Sequence, residues 1–369
     1  MTPSLLSARR VVVKIGSALV VDHDTPRAEW LSSMAADIAS LLGRGIEVIV
    51  VSSGTIALAR GALGLAQKRL RLEEKQAAAA VGQIRLAQAW TAVLAEQDLV
   101  AAQLLLTLGD TEDRRRYLNA RATINTLLQL GCVPVINEND SVATTEIRFG
   151  DNDRLAARVA VMIQADQLIL LSDIDGLYTT DPKRNPAAQH LPIVPALTPE
   201  IEALGGEPPP GYSSGGMRTK LVAARIAIQA GCAMAIARGN IDHPLGALAQ
   251  GARCTWFLPN PEGRSARKRW IAGALAPMGT LVVDAGAERA LAAGSSLLPA
   301  GVLAVCGAFE RGDPVVIENA AGKALARGLC GYGSADAGRL AGHRSDEIEN
   351  ILGWRGRDEL VHRDDLVLL

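Results

Sequence analysis

Two short stretches concentrate carboxylates and side-chain amides. In Pro134-Val135-Ile136-Asn137-Glu138-Asn139-Asp140 an apolar run passes straight into polar groups, and Gly150-Asp151-Asn152-Asp153 follows after a short loop. An open parallel α/β sheet gathers its chemistry just beyond the carboxyl ends of its strands. Asn, Asp and Gly also build ordinary solvated turns, but two such stretches near one strand end favour a site. Val11-Val12-Val13-Lys14-Ile15-Gly16-Ser17 sets a lysine at the end of an apolar run. Burying an ammonium is costly unless an anion meets it, so Lys14 is either an anion-binding group or the first exposed residue of a turn. Ser52-Ser53-Gly54-Thr55 could bare backbone N–H groups to a carboxylate or phosphate, or simply cap a helix.

In Ser213-Ser214-Gly215-Gly216-Met217-Arg218-Thr219-Lys220, tandem glycines open a helical pattern with free N–H groups, and Lys220 falls near its first turn. The Walker spacing G-x-x-x-x-G-K-[ST] is absent. Leu171-Ser172-Asp173-Ile174-Asp175-Gly176-Leu177-Tyr178 ends a further apolar run in carboxylates that could meet a nucleotide, its metal ion or water. The five histidines, His23, His190, His243, His343 and His362, fall outside all of these segments. Two lysines, strand-end glycines and paired Asp/Asn groups without a Ser-His-Asp or Cys-His arrangement suit phosphoryl transfer, in which the protein positions two anions and spreads developing charge. They do not suit acyl hydrolysis.

These groups need a scaffold that brings strand ends together. Short β-branched runs at Val11–Ile15, Ile46–Ser52, Ala101–Leu106, Cys132–Ile136, Gln167–Ser172 and Ala233–Ala237 read as strands. Amphipathic patterns at Trp30–Leu42, Lys75–Glu96, Arg115–Leu130, Asp153–Gln164 and Met217–Ala230 read as helices between them. Runs that are apolar on both faces and separated by helices predict a mostly parallel sheet covered on each side, a three-layer α/β/α sandwich. Gly205–Gly216, with three consecutive prolines, reads as a loop within that domain. The texture changes after Pro259–Trp270, where turn residues pass into Arg264, Arg267, Lys268 and Arg269. Beyond it, Thr280–Val283, Val302–Val305, Pro314–Glu318 and Glu359–Leu369 read as strands and Ser345–Leu352 as a small helix. The expected division is an α/β domain over 1–260, a linker over 261–275 and a small mainly-β domain over 276–369.

Composition narrows the partners. Across 369 residues, 38 Lys and Arg balance 39 Asp and Glu, so no bulk positive field recruits nucleic acid or an anionic membrane. Neither a signal-peptide core nor a membrane-length apolar run is evident, and a cytoplasmic location is expected. Five cysteines, widely spaced and without a CxxC pair or a histidine at ligand spacing, read as buried thiols rather than zinc ligands.

The order VVVKIGS (11–17), VVSSGTIA (50–57), PVINENDSV (134–142), FGDNDRLAA (149–157), LLSDIDGLYTTDP (170–182) and GGMRTK (215–220) resembles the amino acid kinase family. The INEND and GDND segments with the GGMxTK loop single out its glutamate-phosphorylating branch. The segments Leu298–Val302, Gly307–Asp313, His343–Ile348 and Leu360–Leu366 are similar to the PUA domain that many such enzymes append. The resemblance implies ATP-dependent phosphorylation of the L-glutamate side-chain carboxylate to glutamyl 5-phosphate, the first step of proline biosynthesis, with Mg²⁺ carried by the nucleotide. It implies that Lys14 and Lys220 stabilise the moving phosphoryl group and that Asp153 orients them. Ser53, Gly54, Asn137, Asp140 and Asn152 fall at glutamate-binding positions. Lys14, Ser172, Asp173 and the run Ser214, Gly215, Gly216, Met217, Arg218, Thr219 and Lys220 fall at the ATP site. The chain departs from the pattern at Thr55, where alanine is expected, and carries Arg218 at a variable place.

The same resemblance implies a homo-oligomer, dimer or tetramer, feedback inhibition by proline, and a glutamyl phosphate reductase as the partner that takes the product. Two other readings compete. A kinase of the same fold acting on N-acetylglutamate would not need an acidic pocket for a free amine, which the INEND segment offers. An RNA-binding protein built on the tail is motivated by Arg264–Arg269, but near-zero net charge and sparse aromatics argue against RNA as the main partner.

Overall fold

The computed structural model describes residues 3–65, 70–142, 151–206, 216–260 and 277–369. The expected linker at 261–275 lies outside these residues. The chain separates into two compact units, Met1–Gly263 and Arg264–Leu369.

The first unit is built on an eight-stranded sheet. In chain order its principal elements are β1 (Arg10–Ile15), α1 (Ala28–Leu42), β2 (Glu47–Ser52), α2 (Thr55–Arg60), α3 (Leu72–Ala95), β3 (Ala101–Leu106), α4 (Arg114–Gln129), β4 (Val133–Glu138), α5 (Asp151–Met162), β5 (Gln167–Ser172), β6 (Ile193–Val194), α6 (Met217–Gln229), β7 (Ala233–Arg238) and β8 (Cys254–Phe257). The spatial order is β6-β8-β7-β5-β1-β2-β4-β3. Every pairing is parallel except that of β7 with β8. The expected strands and helices are present to within a few residues at each end. Short α2 follows the Ser52–Thr55 segment, which the sequence offered as a possible helix cap, whereas the antiparallel β8 was not expected, being too brief to show a period.

Alternation along the strands builds two cores. Val11, Val13 and Ile15 pack with Trp30, Met34 and Ile38 of α1 and Leu86 and Trp90 of α3. Val12, Ile49, Val51, Leu168 and Leu170 pack on the opposite face with Leu155, Ala156 and Val159 of α5 and Leu221, Ala223 and Ala224 of α6. Successive strand side chains point to opposite faces, so Lys14 shares the side of Val12 and meets the face that α5 and α6 cover.

The second unit adds β9 (Gly279–Val283), β10 (Val302–Gly307), β11 (Pro314–Asn319), β12 (Ala324–Leu329) and β13 (Leu366–Leu368) in the order β10-β9-β11-β12-β13. Leu281, Ile317, Tyr332, Leu340 and Leu360 belong to its own core. The expected strand at Glu359–Leu369 is shorter than read. Val361 makes only an isolated bridge to Leu297, a 3-10 turn at Arg363–Asp365 interrupts the run, and pairing resumes at Leu366. There the backbone N–H of Asp364 donates to the His362 ring, a local bond that competes with the ladder. The reading of all five cysteines as buried also fails. Cys232 and Cys330 are buried, Cys132 and Cys254 are half-buried, and Cys306 is exposed on β10, an edge strand. Burial pushes the thiols of Cys254 and Cys330 up to about 11.

Candidate active site

β1 lies between β2 and β5, with Lys14 in register with Val51 and Leu170 and Ile15 with Ser52 and Leu171. The carboxyl ends of all three strands therefore open on one place, and the Ser53 backbone N–H donates to the Ile15 carbonyl at 3.1 Å. Above them α5 and α6 pack together, and both bring small residues to the shared core, Ala156, Ala157 and Ala160 from α5 and Ala223, Ala224 and Ala227 from α6. Close approach of the two helices is what brings their first turns to Lys14.

The result is a buried charge cluster. Asp153 is fully buried, while Lys14 and Lys220 are each 7% exposed. Lys14 Nζ lies 2.6 Å from Asp153 Oδ1 and Lys220 Nζ 3.5 Å from Asp153 Oδ2. The Thr219 hydroxyl donates to Asp153 Oδ2 at 2.8 Å. Burial pushes the Asp153 carboxyl up, but the charges of Lys14 and Lys220, with hydrogen bonds from Lys14 and Thr219, more than offset it and hold the group below the usual carboxylate range. Burial draws the Lys220 ammonium below the ordinary lysine value; Asp153 opposes that shift and the like charge of Lys14 adds to it. Two ammonium groups against one carboxylate leave the cluster complementary to an anion.

Immediately beside it is a neutral cluster. Asn152 Nδ2 donates to Ser53 Oγ at 2.6 Å and to Asn137 Oδ1 at 3.0 Å. Asp140 is half-buried, with the Thr55 hydroxyl 3.4 Å from its Oδ2. Gly54, with φ of 122°, turns the chain from β2 into α2, and a Cβ there would come within 2.9 Å of Val21 Cγ2. That backbone region suits glycine alone. Gly82 of α3 has a different reason: a Cβ would lie 1.7 Å from the Thr55 carbonyl oxygen, so its absence lets α3 and α2 pack beneath the loop. The Trp90 indole of the same helix donates to Ser52 Oγ at 3.0 Å.

On the other side, Ser172 closes β5 and its hydroxyl donates to Asp173 at 3.2 Å. Asp173 is exposed and pairs with Lys183 at 3.0 Å. Burial raises its carboxyl, but Lys183 and the Ser172 hydroxyl hold it below the usual range. Helix α6 starts from Gly216, an N-cap that as glycine supplies no side-chain hydrogen bond, so among the described residues Met217, Arg218 and Thr219 form a first turn without a side-chain cap.

The structure thus brings Lys14, Lys220 and Asp153 into one cluster, Ser53, Asn137 and Asn152 into a second, and Ser172 and Asp173 to the end of β5. Gly150, Ser214 and Gly215 lie outside the described residues, as does the side chain of Asp151. Sequence reasoning passed over Thr55 as a minor departure, whereas its hydroxyl meets Asp140. It missed Lys183, and Gln83, whose Oε1 accepts from Asn137 Nδ2 at 2.9 Å. Gln83 lies mid-helix, where only tertiary packing reveals a role. Among the described residues no helix is long and apolar enough to cross a membrane.

Comparison with known proteins places these features. The sequence model of the amino acid kinase family matches residues 9–238, and that of the PUA domain matches residues 279–352. The glutamate 5-kinase of Gluconobacter oxydans (strain 621H) is 64% identical over 368 residues, which cover 99% of this chain and 97% of that protein. The glutamate 5-kinase of Paramagnetospirillum magneticum (strain ATCC 700264 / AMB-1) is 62% identical over 366 residues, covering 99% of each. Among solved structures, a UMP kinase from Bacillus anthracis superposes with a TM-score of 0.50 at 17% identity, over 69% of this chain and 97% of that one. That last likeness is one of fold alone.

Proposed function

Because the chain belongs to the amino acid kinase family, and within it to the glutamate 5-kinases, we propose that it transfers the γ-phosphoryl group of ATP to the side-chain carboxylate of L-glutamate. The product is glutamyl 5-phosphate, on the route to proline. The observation that carries the assignment of roles is the buried cluster of Lys14, Asp153 and Lys220.

A carboxylate nucleophile is already ionised at neutral pH, so no general base is required. Repulsion between two anions is what opposes reaction. Lys14 and Lys220 offset it as charge grows on the moving phosphoryl group, while Asp153 holds both ammonium groups in place and moves no proton. Asp140 supplies a negative charge suited to the α-ammonium of glutamate. The buried Oδ1 of Asn152, which makes no hydrogen bond among the described residues, supplies a neutral acceptor. Ser53 and the turn at Gly54 would face the remaining polar atoms.

The residues at the end of β5 and the start of α6 fit a nucleotide: the first turn of α6 offers N–H donors that its glycine N-cap does not occupy, and Lys220 is at hand for phosphate. Asp173 would face the nucleotide from β5. Mg²⁺, held by the phosphates and brought with them, supplies further charge neutralisation when bound. All of these groups fall within the first unit, so catalysis is assigned to it and regulation or assembly to the second.

The test is direct. Purified full-length protein with ATP, Mg²⁺, L-glutamate and hydroxylamine should form a glutamyl hydroxamate, because an acyl phosphate is trapped by that amine. N-acetylglutamate in place of glutamate should give little product. Equal or preferred use of N-acetylglutamate would overturn the substrate assignment, and ATP turnover without hydroxamate would overturn the acyl phosphate.

A further inference from the structure

The glutamate-side amides are joined in a chain whose far end lies on α3. Gln83 Oε1 accepts from Asn137 Nδ2 at 2.9 Å, Asn137 Oδ1 accepts from Asn152 Nδ2 at 3.0 Å, and Asn152 Nδ2 spends its other hydrogen on Ser53 Oγ at 2.6 Å. The carbonyl Oδ1 of Asn152 is what remains, buried and without a hydrogen bond among the described residues. A primary amide donates at one end and accepts at the other. A chain of such groups therefore has a polarity, and turning the first member turns the last. With Gln83 reversed, Asn152 would present an NH₂ group in place of its carbonyl.

Gln83 is well placed to set this direction. It follows Gly82, whose close contact with Thr55 fixes α3 against α2, and it lies on the same helix as Trp90, which holds Ser52. We propose that Gln83 is a positioning residue for glutamate: by accepting from Asn137 it fixes the amide chain so that Asn152 offers its carbonyl oxygen to the substrate's α-ammonium. This rests on the reading that Ser53, Asn137 and Asn152 hold glutamate. Gln83 itself touches no reacting atom, so its effect is on substrate affinity and not on phosphoryl transfer.

The experiment compares full-length wild type with Gln83→Met, Gln83→Glu, Asn137→Ala and the Gln83→Met/Asn137→Ala double variant, each checked by near-UV CD. Leaving a buried amide without its partner should raise the glutamate KM of Gln83→Met by roughly tenfold. Its kcat and ATP KM should stay within about twofold, the pattern of lost ground-state binding. Gln83→Glu, an acceptor at neutral pH, should recover most of the loss. In the Asn137→Ala background Gln83→Met should add almost nothing to the fall in kcat/KM, because the intermediary is gone. An unchanged glutamate KM in Gln83→Met, or an equal added loss in the Asn137→Ala background, overturns the proposal. Should Gln83→Met fail to fold, Gln83→Glu against the donor-only Gln83→Lys decides: equal glutamate KM values overturn it, and a higher value for Lys supports it. Wild type that makes no hydroxamate from glutamate would instead refute the proposed activity.

Discussion

Asp153→Asn tests the charge cluster most severely, because it keeps the shape of the side chain and an oxygen for the Thr219 hydroxyl while removing one charge. The carboxylate is fully buried, 2.6 Å from Lys14 Nζ and 3.5 Å from Lys220 Nζ, and both lysines are almost as buried. Breaking a buried pair from one side typically costs about 3–5 kcal/mol, since an uncompensated charge is left behind. Here two are left. The cost has a ceiling, because Lys220, already drawn below the ordinary lysine value, can shed its proton. Deprotonating an ordinary lysine costs about 4.6 kcal/mol at pH 7 and about 1.9 kcal/mol at pH 9, at 1.36 kcal/mol per unit. The variant should therefore lose about 4 kcal/mol at pH 7 and measurably less at pH 9, where the Lys220 share is capped at about 1.9 kcal/mol. In the wild type the sign is opposite at the acid end: the folded Asp153 lies below its unfolded value, so its contribution is present above the ordinary carboxylate range and lost as pH falls through the folded value. Urea unfolding of both proteins at pH 7 and pH 9, followed by far-UV CD, measures the difference. A loss below about 1 kcal/mol at pH 7, or one equal at the two pH values, would refute the picture of two ammonium groups depending on one carboxylate.

Three further outcomes follow from the same geometry. Lys14→Ala and Lys220→Ala should each lower kcat by about a hundredfold or more with smaller changes in the glutamate KM, since their charge matters most as the phosphoryl group moves; steady-state kinetics showing near-normal kcat would remove the residue from the catalytic set. Asp140→Ala and Asn152→Ala should raise the glutamate KM strongly and leave the ATP KM unchanged, and a parallel rise for ATP would show that the wrong pocket has been assigned. Because burial draws the Lys220 ammonium down, wild-type kcat should fall on the alkaline side at a pH below that of an ordinary lysine. Lys220→Arg, charged throughout that range, should be slower but should lose this limb; a pH–rate profile with the limb unchanged in the arginine variant would assign it to another group.

How much of this was legible in the sequence depends on how local each signal is. Lys14, Ser53, Asn137 and Ser172 each follow a run of β-branched or leucine residues, and a polar group at the end of a buried strand is visible without a fold. Met217–Gln229 and Asp151–Met162 show their helical period over three turns or more, so their first turns could be placed near the strand ends. The side of the sheet on which Lys14 would emerge was also implicit, since it shares the parity of Val12. By contrast, α2 has six residues and β8 four, too few for any period to stand out. The partners of Asn137 and Asp140 come from Gln83 and Thr55, which are distant in sequence and ordinary in type. Gly82 carries no signal in the sequence, and only the Thr55 carbonyl packed against it explains the missing Cβ. The thiol of Cys306 escaped because β10 looks like any apolar strand until its position at the sheet edge leaves it half uncovered.

The two clusters of the site are joined at one point, the beginning of α5. Successive residues of a helix project about 100° apart, so Asn152 and Asp153 address different neighbours although they are adjacent in the chain. Asn152 turns toward Ser53, just beyond β2, and toward Asn137, near the end of β4. Asp153 turns toward Lys14 of β1 and toward Thr219 and Lys220 of α6. One helical start thus ties the groups assigned to the glutamate carboxylate's carrier to those assigned to the phosphoryl group, and fixes the distance between them with backbone rather than with flexible side chains. A reaction between two anions depends on that distance, because binding either one tightly in the wrong place would add repulsion without attack. Under the proposed assignment, the small residues of α5 and α6 and the buried face of Leu155, Ala156 and Val159 would act on the chemistry through position: whatever shifts α5 along its axis moves both anions' partners together.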